Sequence, residues 1–392
     1  MTSVVISSAA RTAIGSFGRG LRDVPPIELG ATAASAAIER AGLDPGQVEQ
    51  VVFGNVIHTS TEDHYLARVV GINAGIPKES PALTLNRLCG SGLQAIVSAA
   101  QMIQTGDAEV ALAGGAESMS RGAYWMENAR WGARMGEGSL VDSVVGALTD
   151  PFNKIHMGVT AENLAKSHGI SREAQDEFAL QSHRRAIAAI EAGKFEDEVV
   201  PIEVKSPKGA VEFRVDEHAR PDVSLEALAK LKPAFDKNGT VTPGNASGVN
   251  DAAAAVVVMS TDRAEQLGAP VRGRILSYAV CGVAPDTMGI GPVPAVRKAL
   301  ERAGKTLDEV DVIELNEAFA AQSLAVLQDL GLDTARVNPN GGAIALGHPV
   351  GATGAILLTK ILGEMEREDH KLGLVTLCIG GGQGIAMLVE RD

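Results

Sequence analysis

Short apolar runs along this chain alternate with stretches whose apolar residues recur every three to four positions. Residues 4–9, 51–53, 82–85 and 110–113 read as strands, with amphipathic helices near 28–41 and 90–105. The second half repeats the pattern, with strands near 274–279, 312–315 and 373–378 and helices near 295–303, 318–330 and 352–366. Such alternation predicts an α/β fold, a mostly parallel sheet covered by helices.

The repetition extends to residues. Ala37-Ile-Glu-Arg-Ala-Gly42 matches Ala299-Leu-Glu-Arg-Ala-Gly304, and each is followed by a strand and an asparagine, Asn55 or Asn316. Cys89-Gly-Ser-Gly and Gly347-His348-Pro-Val-Gly each precede a helix, and Leu112-Ala-Gly-Gly parallels Cys378-Ile-Gly-Gly. An internal duplication accounts for the shared order. Residues 119–249 break the pattern, with both tryptophans and four of the eight histidines. The chain therefore divides into an N-terminal half (1–118 plus 250–268), an inserted domain (119–249) and a C-terminal half (269–392). Corresponding turns of two packed copies converge, which predicts that Cys89, Asn316, His348 and Cys378 lie near one another.

With 392 residues, 45% apolar, the chain can bury a large core. The net charge of −13 disfavours nonspecific binding to nucleic acid or anionic membranes. An anionic ligand needs local cations, and the nearly charge-balanced segment 119–249 repels it least. Three cysteines without framework spacing point to a reducing compartment, and no apolar run is long enough to span a membrane. The expected location is the cytoplasm.

Two of those cysteines border glycine-rich turns. Cys89 ends an apolar run from Pro81 and opens a helical one, so its thiol is expected to feel the positive end of a helix dipole. That is worth at most about 2 kcal/mol, roughly 1.5 pKa units in the thiolate direction. A base is still needed, and His348, held on a turn by the proline after it, is the candidate. Cys378 reads from its neighbours either as a second acid/base or as a buried strand-end thiol, and Cys281 as packing. Gly380-Gly-Gly-Gln-Gly lacks the Gly-Lys-Ser/Thr ending of a phosphate loop and runs into an apolar strand, which argues against nucleotide binding there.

Seven motifs in order carry a resemblance to the thiolase family. They are Asn86-Arg-Leu-Cys89-Gly-Ser-Gly, Gly114-Gly-Ala-Glu-Ser-Met-Ser, Gly244-Asn-Ala-Ser-Gly, Asn316-Glu-Ala-Phe, Asn340-Gly-Gly-Ala, Gly347-His-Pro and Cys378-Ile-Gly-Gly-Gly-Gln-Gly. The chain resembles acetyl-CoA acetyltransferases and 3-ketoacyl-CoA thiolases over its whole length. The resemblance implies two thiolase-fold halves in a five-layer αβαβα arrangement and a homo-oligomer, a dimer often doubled into a tetramer. It implies Cys89 as nucleophile, His348 as its base, Cys378 as the second acid/base, and Asn316 beside the enolate. The N–H groups of Cys89 and Gly380 would form an oxyanion hole. For coenzyme A it carries over His156, Met157, Arg220, Ser247, Ala318 and Phe319, and it implies neither metal nor prosthetic group. Ala227 and Pro339 depart from the family's usual hydroxyl and valine. The implied reaction joins two acetyl-CoA into acetoacetyl-CoA plus CoA, or runs in reverse. Rival readings are a longer-chain 3-ketoacyl-CoA thiolase, a decarboxylating ketoacyl synthase and a non-catalytic acyl-CoA-binding scaffold.

Overall fold

A computed structural model describes residues 2–206 and 209–392. Nine strands follow one another across the main sheet. In spatial order they are Val312–Leu315, Leu372–Ile379, Gln383–Glu390, Gly273–Gly282, Val4–Thr12, Asn250–Ser260, Val110–Ser118, Gln50–Gly54 and Ala82–Leu85. The two halves meet where Val5 and Ile6 pair with Arg274 and Gly273.

The duplication is visible in the ladders, whose pairings along the sheet are mostly antiparallel rather than mostly parallel as the alternation predicts. Strand Val4–Thr12 runs antiparallel to Asn250–Ser260, which runs antiparallel to Val110–Ser118, which runs parallel to Gln50–Gly54. Gly273–Gly282, Gln383–Glu390, Leu372–Ile379 and Val312–Leu315 repeat that sequence of directions. The parallel neighbour beyond Gln50–Gly54 is Ala82–Leu85; its counterpart in the second half is the single bridge between Ile313 and Val337.

Side-chain alternation then builds the layers. Along Asn250–Ser260, Ala252, Ala254, Val256 and Val258 face the centre of the molecule, while Ala253, Ala255, Val257 and Met259 face outward. Helices Pro26–Arg40 and Leu66–Asn73 cover the outward face through Leu29, Ala33, Ala37 and Val70. Helices Pro292–Ala303 and Ala320–Leu330 do the same for the second half through Val296, Leu300 and Val326. Between the two halves of the sheet lie Ser91–Thr105 and Thr353–Arg367, with Leu93 and Ile96 packed among Ile356, Leu357 and Ile361. The five layers expected from the resemblance are present. The central helices approach closely at small residues: a Cβ on Gly354 would sit 2.3 Å from the Leu93 backbone nitrogen.

The segment between Ser118 and Asn250 leaves and rejoins the sheet at neighbouring strands, where Asp251 lies opposite Ser118. It is tied back through Arg11, wholly buried, which pairs with Glu198 at 2.9 Å and Asp216 at 2.8 Å. Its charged helix spans Arg172–Glu191. No helix among the described residues is long and apolar enough to cross a membrane.

Candidate functional site

Strand Ala82–Leu85 stops short of the run read from the sequence, and Cys89 sits in a turn rather than opening the helix. The turn explains the difference. Leu88 adopts the left-handed region at φ 46°, and its N–H donates to Asn86 Oδ1 at 2.8 Å. Arg87 N–H donates to Ser91 Oγ at 2.8 Å, and that hydroxyl donates to the Leu88 carbonyl at 2.7 Å. The helix begins only at Ser91, after Gly90. A Cβ on Gly90 would lie 2.5 Å from Ile379, so the turn presses on the strand that carries Cys378.

Here the structure brings together Cys89, Gly380 and Cys378. The N–H groups of Gly380 and of Cys89 itself lie near the Cys89 sulfur and favour its thiolate. Even so, burial pushes the Cys89 thiol up to about 11, and the nearby Glu117 carboxylate adds to the rise. This corrects the expectation from the helix dipole. Desolvation of the thiolate outweighs the two amide donors. Cys378 is fully buried and is pushed up as well, by burial first and then by its neighbour Cys89. The resting site therefore holds two neutral thiols. Cys281 packs against the core of the second half, as expected.

His348 and Asn316 form a second pair. The Thr353 hydroxyl donates to the Pro349 carbonyl at 2.9 Å, so it accepts from His348 Nδ1 at 2.7 Å. That assignment leaves Nε2 unprotonated, 3.4 Å from Asn316 Nδ2. Burial lowers the His348 pKa to about 4, so the ring is neutral. The His348 N–H donates to Asn250 Oδ1 at 2.9 Å, which fixes the turn. Asn316 is no helix cap, since the following helix starts at Ala320. Its Oδ1 is buried without a partner among the described residues. Val350, two residues past His348, packs in the cluster that Cys89 borders. Asn316 N–H donates to the Thr376 carbonyl at 3.0 Å, two residues before Cys378.

Glu117 is the residue that sequence reading passed over, although it stands inside a quoted motif. Fully buried, it accepts from Val56 N–H at 3.1 Å, Ile57 N–H at 3.0 Å and Gly351 N–H at 2.8 Å. Asn55 Nδ2 donates to it at 3.1 Å. One carboxyl group thus joins the loop after Gln50–Gly54 to the turn that carries His348. Burial raises its pKa to about 8. In Glu117→Ala three backbone donors lose their acceptor, so stability is expected to fall by about 3 kcal/mol or more. Urea denaturation measures this; a loss below about 1 kcal/mol would contradict the role.

Of the six residues carried over for coenzyme A, five gather near the thiols. Met157, Ala318 and Phe319 share a cluster with Cys378. Met157 also lies against Gly380: a Cβ there would come within 3.4 Å of its sulfur. Ser247 N–H donates to the Ala318 carbonyl at 3.0 Å, and Ala246 bridges Phe319. That pairing holds 318–319 extended, which is why the helix starts later than the apolar pattern suggested. The His156 ring stacks on Phe235 at 4.6 Å, and Phe235 meets Phe319 edge-on at 6.1 Å. His156 Nδ1 accepts from Gly158 N–H at 3.1 Å. Arg220 stands apart, exposed at the rim of a cavity of about 910 Å³ that His156 also lines. Val144, Leu148 and Val249 form part of the wall and belong to the cluster that Cys89 borders. No motif marked Phe235, Leu148 or Val249.

A duplicated α/β unit with a half-buried thiol beside a buried one, a neutral histidine and an asparagine at converging turns defines a narrow class. Residues 4–262 match the thiolase N-terminal domain, and residues 269–391 match the thiolase C-terminal domain. The chain belongs to the thiolase family. It is 59% identical over 389 residues to a beta-ketothiolase of Cupriavidus necator, covering 99% of each chain. An acetyl-CoA acetyltransferase of Pseudomonas aeruginosa is 55% identical over 394 residues, covering 100% of each. The human mitochondrial 3-ketoacyl-CoA thiolase in complex with CoA superposes with a TM-score of 0.97 at 48% identity, covering 100% of this chain and 98% of that one.

Proposed function

We propose that the chain condenses two acetyl-CoA into acetoacetyl-CoA plus CoA, and runs the reverse thiolysis, through an acetyl-Cys89 intermediate. The observation that carries this reading is the Cys89 sulfur near the N–H groups of Gly380 and Cys89 and beside a second thiol, Cys378. The names of the relatives support it.

Cys89 Sγ–H gives its proton to His348 Nε2, and the thiolate attacks the thioester carbonyl. The N–H groups of Gly380 and Cys89 then donate to the oxygen of the tetrahedral intermediate. CoA leaves as a thiolate and takes the proton of Cys378. Cys378 thiolate then removes an α-proton from the second acetyl-CoA, and protonated His348 with Asn316 stabilises the enolate. The enolate carbon attacks the acetyl group, Cys89 departs as thiolate, and His348 returns its proton. Protons balance, and each group ends as it began. Coenzyme A is the substrate thiol, held by His156, Met157, Arg220, Ser247, Ala318 and Phe319.

Around Cys89, the side chains of Ile57, Met119, Val144 and Val350 bound an apolar acyl site. Thiolysis of acetoacetyl-CoA is expected to exceed that of a six-carbon 3-ketoacyl-CoA by at least about tenfold in kcat/KM; two methylenes of misfit supply that difference. A flat profile would replace this reading with the longer-chain thiolase. The three free cysteines support a cytoplasmic setting. The exposed Tyr124, Trp125 and Trp131, the last 81% exposed, support assembly of the chain into a homo-oligomer.

A further inference from the structure

The cavity that His156 and Arg220 line, and whose apolar wall packs in the cluster that Cys89 borders, has a second wall from a different part of the chain. Phe17 and Arg19 line it together with Arg220, and they come from a turn that belongs neither to the 119–249 segment nor to any quoted motif. The turn is rigidly built. Ser16 N–H donates to Glu217 Oε2 at 2.8 Å, Phe17 N–H to the Val249 carbonyl at 3.1 Å, and Gly18 N–H to Ser120 Oγ at 2.8 Å. Arg19 N–H closes on the Ser16 carbonyl at 3.0 Å, with Gly18 at φ 70° making the bend. Every backbone donor from 16 to 19 is thus committed, while the side chains of Phe17 and Arg19 are left exposed.

Neither the Arg19 nor the Arg220 guanidinium makes a hydrogen bond or ion pair with another described residue. Three carboxylates, Asp142, Glu217 and Asp222, also line the cavity. Asp142 and Glu217 are already bound to backbone amides. In a chain of net charge −13, two unpaired arginines on one cavity are the available counter-charge for an anion.

We propose that Arg19, sharing this cavity with Arg220, binds the phosphate-bearing nucleotide end of coenzyme A and makes the enzyme prefer CoA to phosphate-free pantetheine. Phe17, 56% exposed at the same turn, offers a face for the adenine ring. The assignment rests on the thiolase reading and adds a determinant from the N-terminal half.

The test is steady-state thiolysis of acetoacetyl thioesters with CoA or pantetheine as the accepting thiol. Arg19→Ala is expected to raise KM for CoA about fivefold, the size of one exposed ion pair. KM for pantetheine should move by less than about twofold, and Arg19→Lys should recover most of the loss at low salt. Equal effects on CoA and pantetheine, or none on CoA, would overturn the assignment. If the unmutated enzyme cleaves no acetoacetyl-CoA, the thiolase reading itself falls; if it is active and the variant matches it, only the role of Arg19 falls.

Discussion

Replacing Cys89 by alanine is expected to lower acetoacetyl-CoA thiolysis by roughly 10⁴-fold or more, the scale seen when a covalent nucleophile is removed. The other parts of the site do not substitute for it. Cys378 is fully buried in the strand Leu372–Ile379, and the Gly380 N–H is a donor near the Cys89 sulfur, not a nucleophile. Alanine leaves the Leu88 turn intact, because that turn is held by Asn86 and Ser91 rather than by the thiol. CoA binding, read by calorimetry, should therefore persist while turnover is lost. Residual activity within tenfold of the parent would mean that another group accepts the acyl chain.

The second large effect concerns His348. His348→Asn keeps a polar side chain but removes the base, and kcat/KM is expected to fall by roughly 10²- to 10⁴-fold, the usual contribution of general acid–base catalysis. The pH profile carries a sharper sign. The folded ring takes its proton only near pH 4, well below the ordinary 6.5. The acid limb of kcat/KM in the parent should accordingly lie below 6.5, and a limb at or above 6.5 would contradict a buried neutral imidazole. Stability follows the same linkage. A depressed histidine pKa means the unfolded chain binds the proton first as pH falls. Its contribution is complete above about 6.5 and is lost progressively toward pH 4. His348→Asn should flatten that part of the stability curve, which thermal melts across the window would show.

Much of the fold is legible from residue pattern because both halves follow the same grammar. Strand and helix periods locate most of the core elements, and the matched Ala-Ile-Glu-Arg-Ala-Gly and Ala-Leu-Glu-Arg-Ala-Gly segments end equivalent helices before glycines at φ 68° and 64°. The convergence of Cys89, Cys378, Asn316 and His348 follows from that duplication. What the sequence hides is burial. The dipole argument for Cys89 gives a lowered pKa, yet the thiol sits where its anion loses more solvation than the Gly380 and Cys89 amides restore. Glu117 is hidden for the same reason: its four donors come from two separate loops and assemble only in the folded chain. Arg19 lies about two hundred residues from Arg220 in sequence, and only the cavity joins them.

A covalent acetyl-Cys89 intermediate can be seen by intact mass spectrometry of the protein mixed with acetyl-CoA. The expected result is a single acetyl adduct, mapped by digestion to Cys89 and discharged when free CoA is added. Active protein that carries no acetyl group, or carries it on Cys281 or Cys378 with Cys89 free, would rule out Cys89 as the nucleophile.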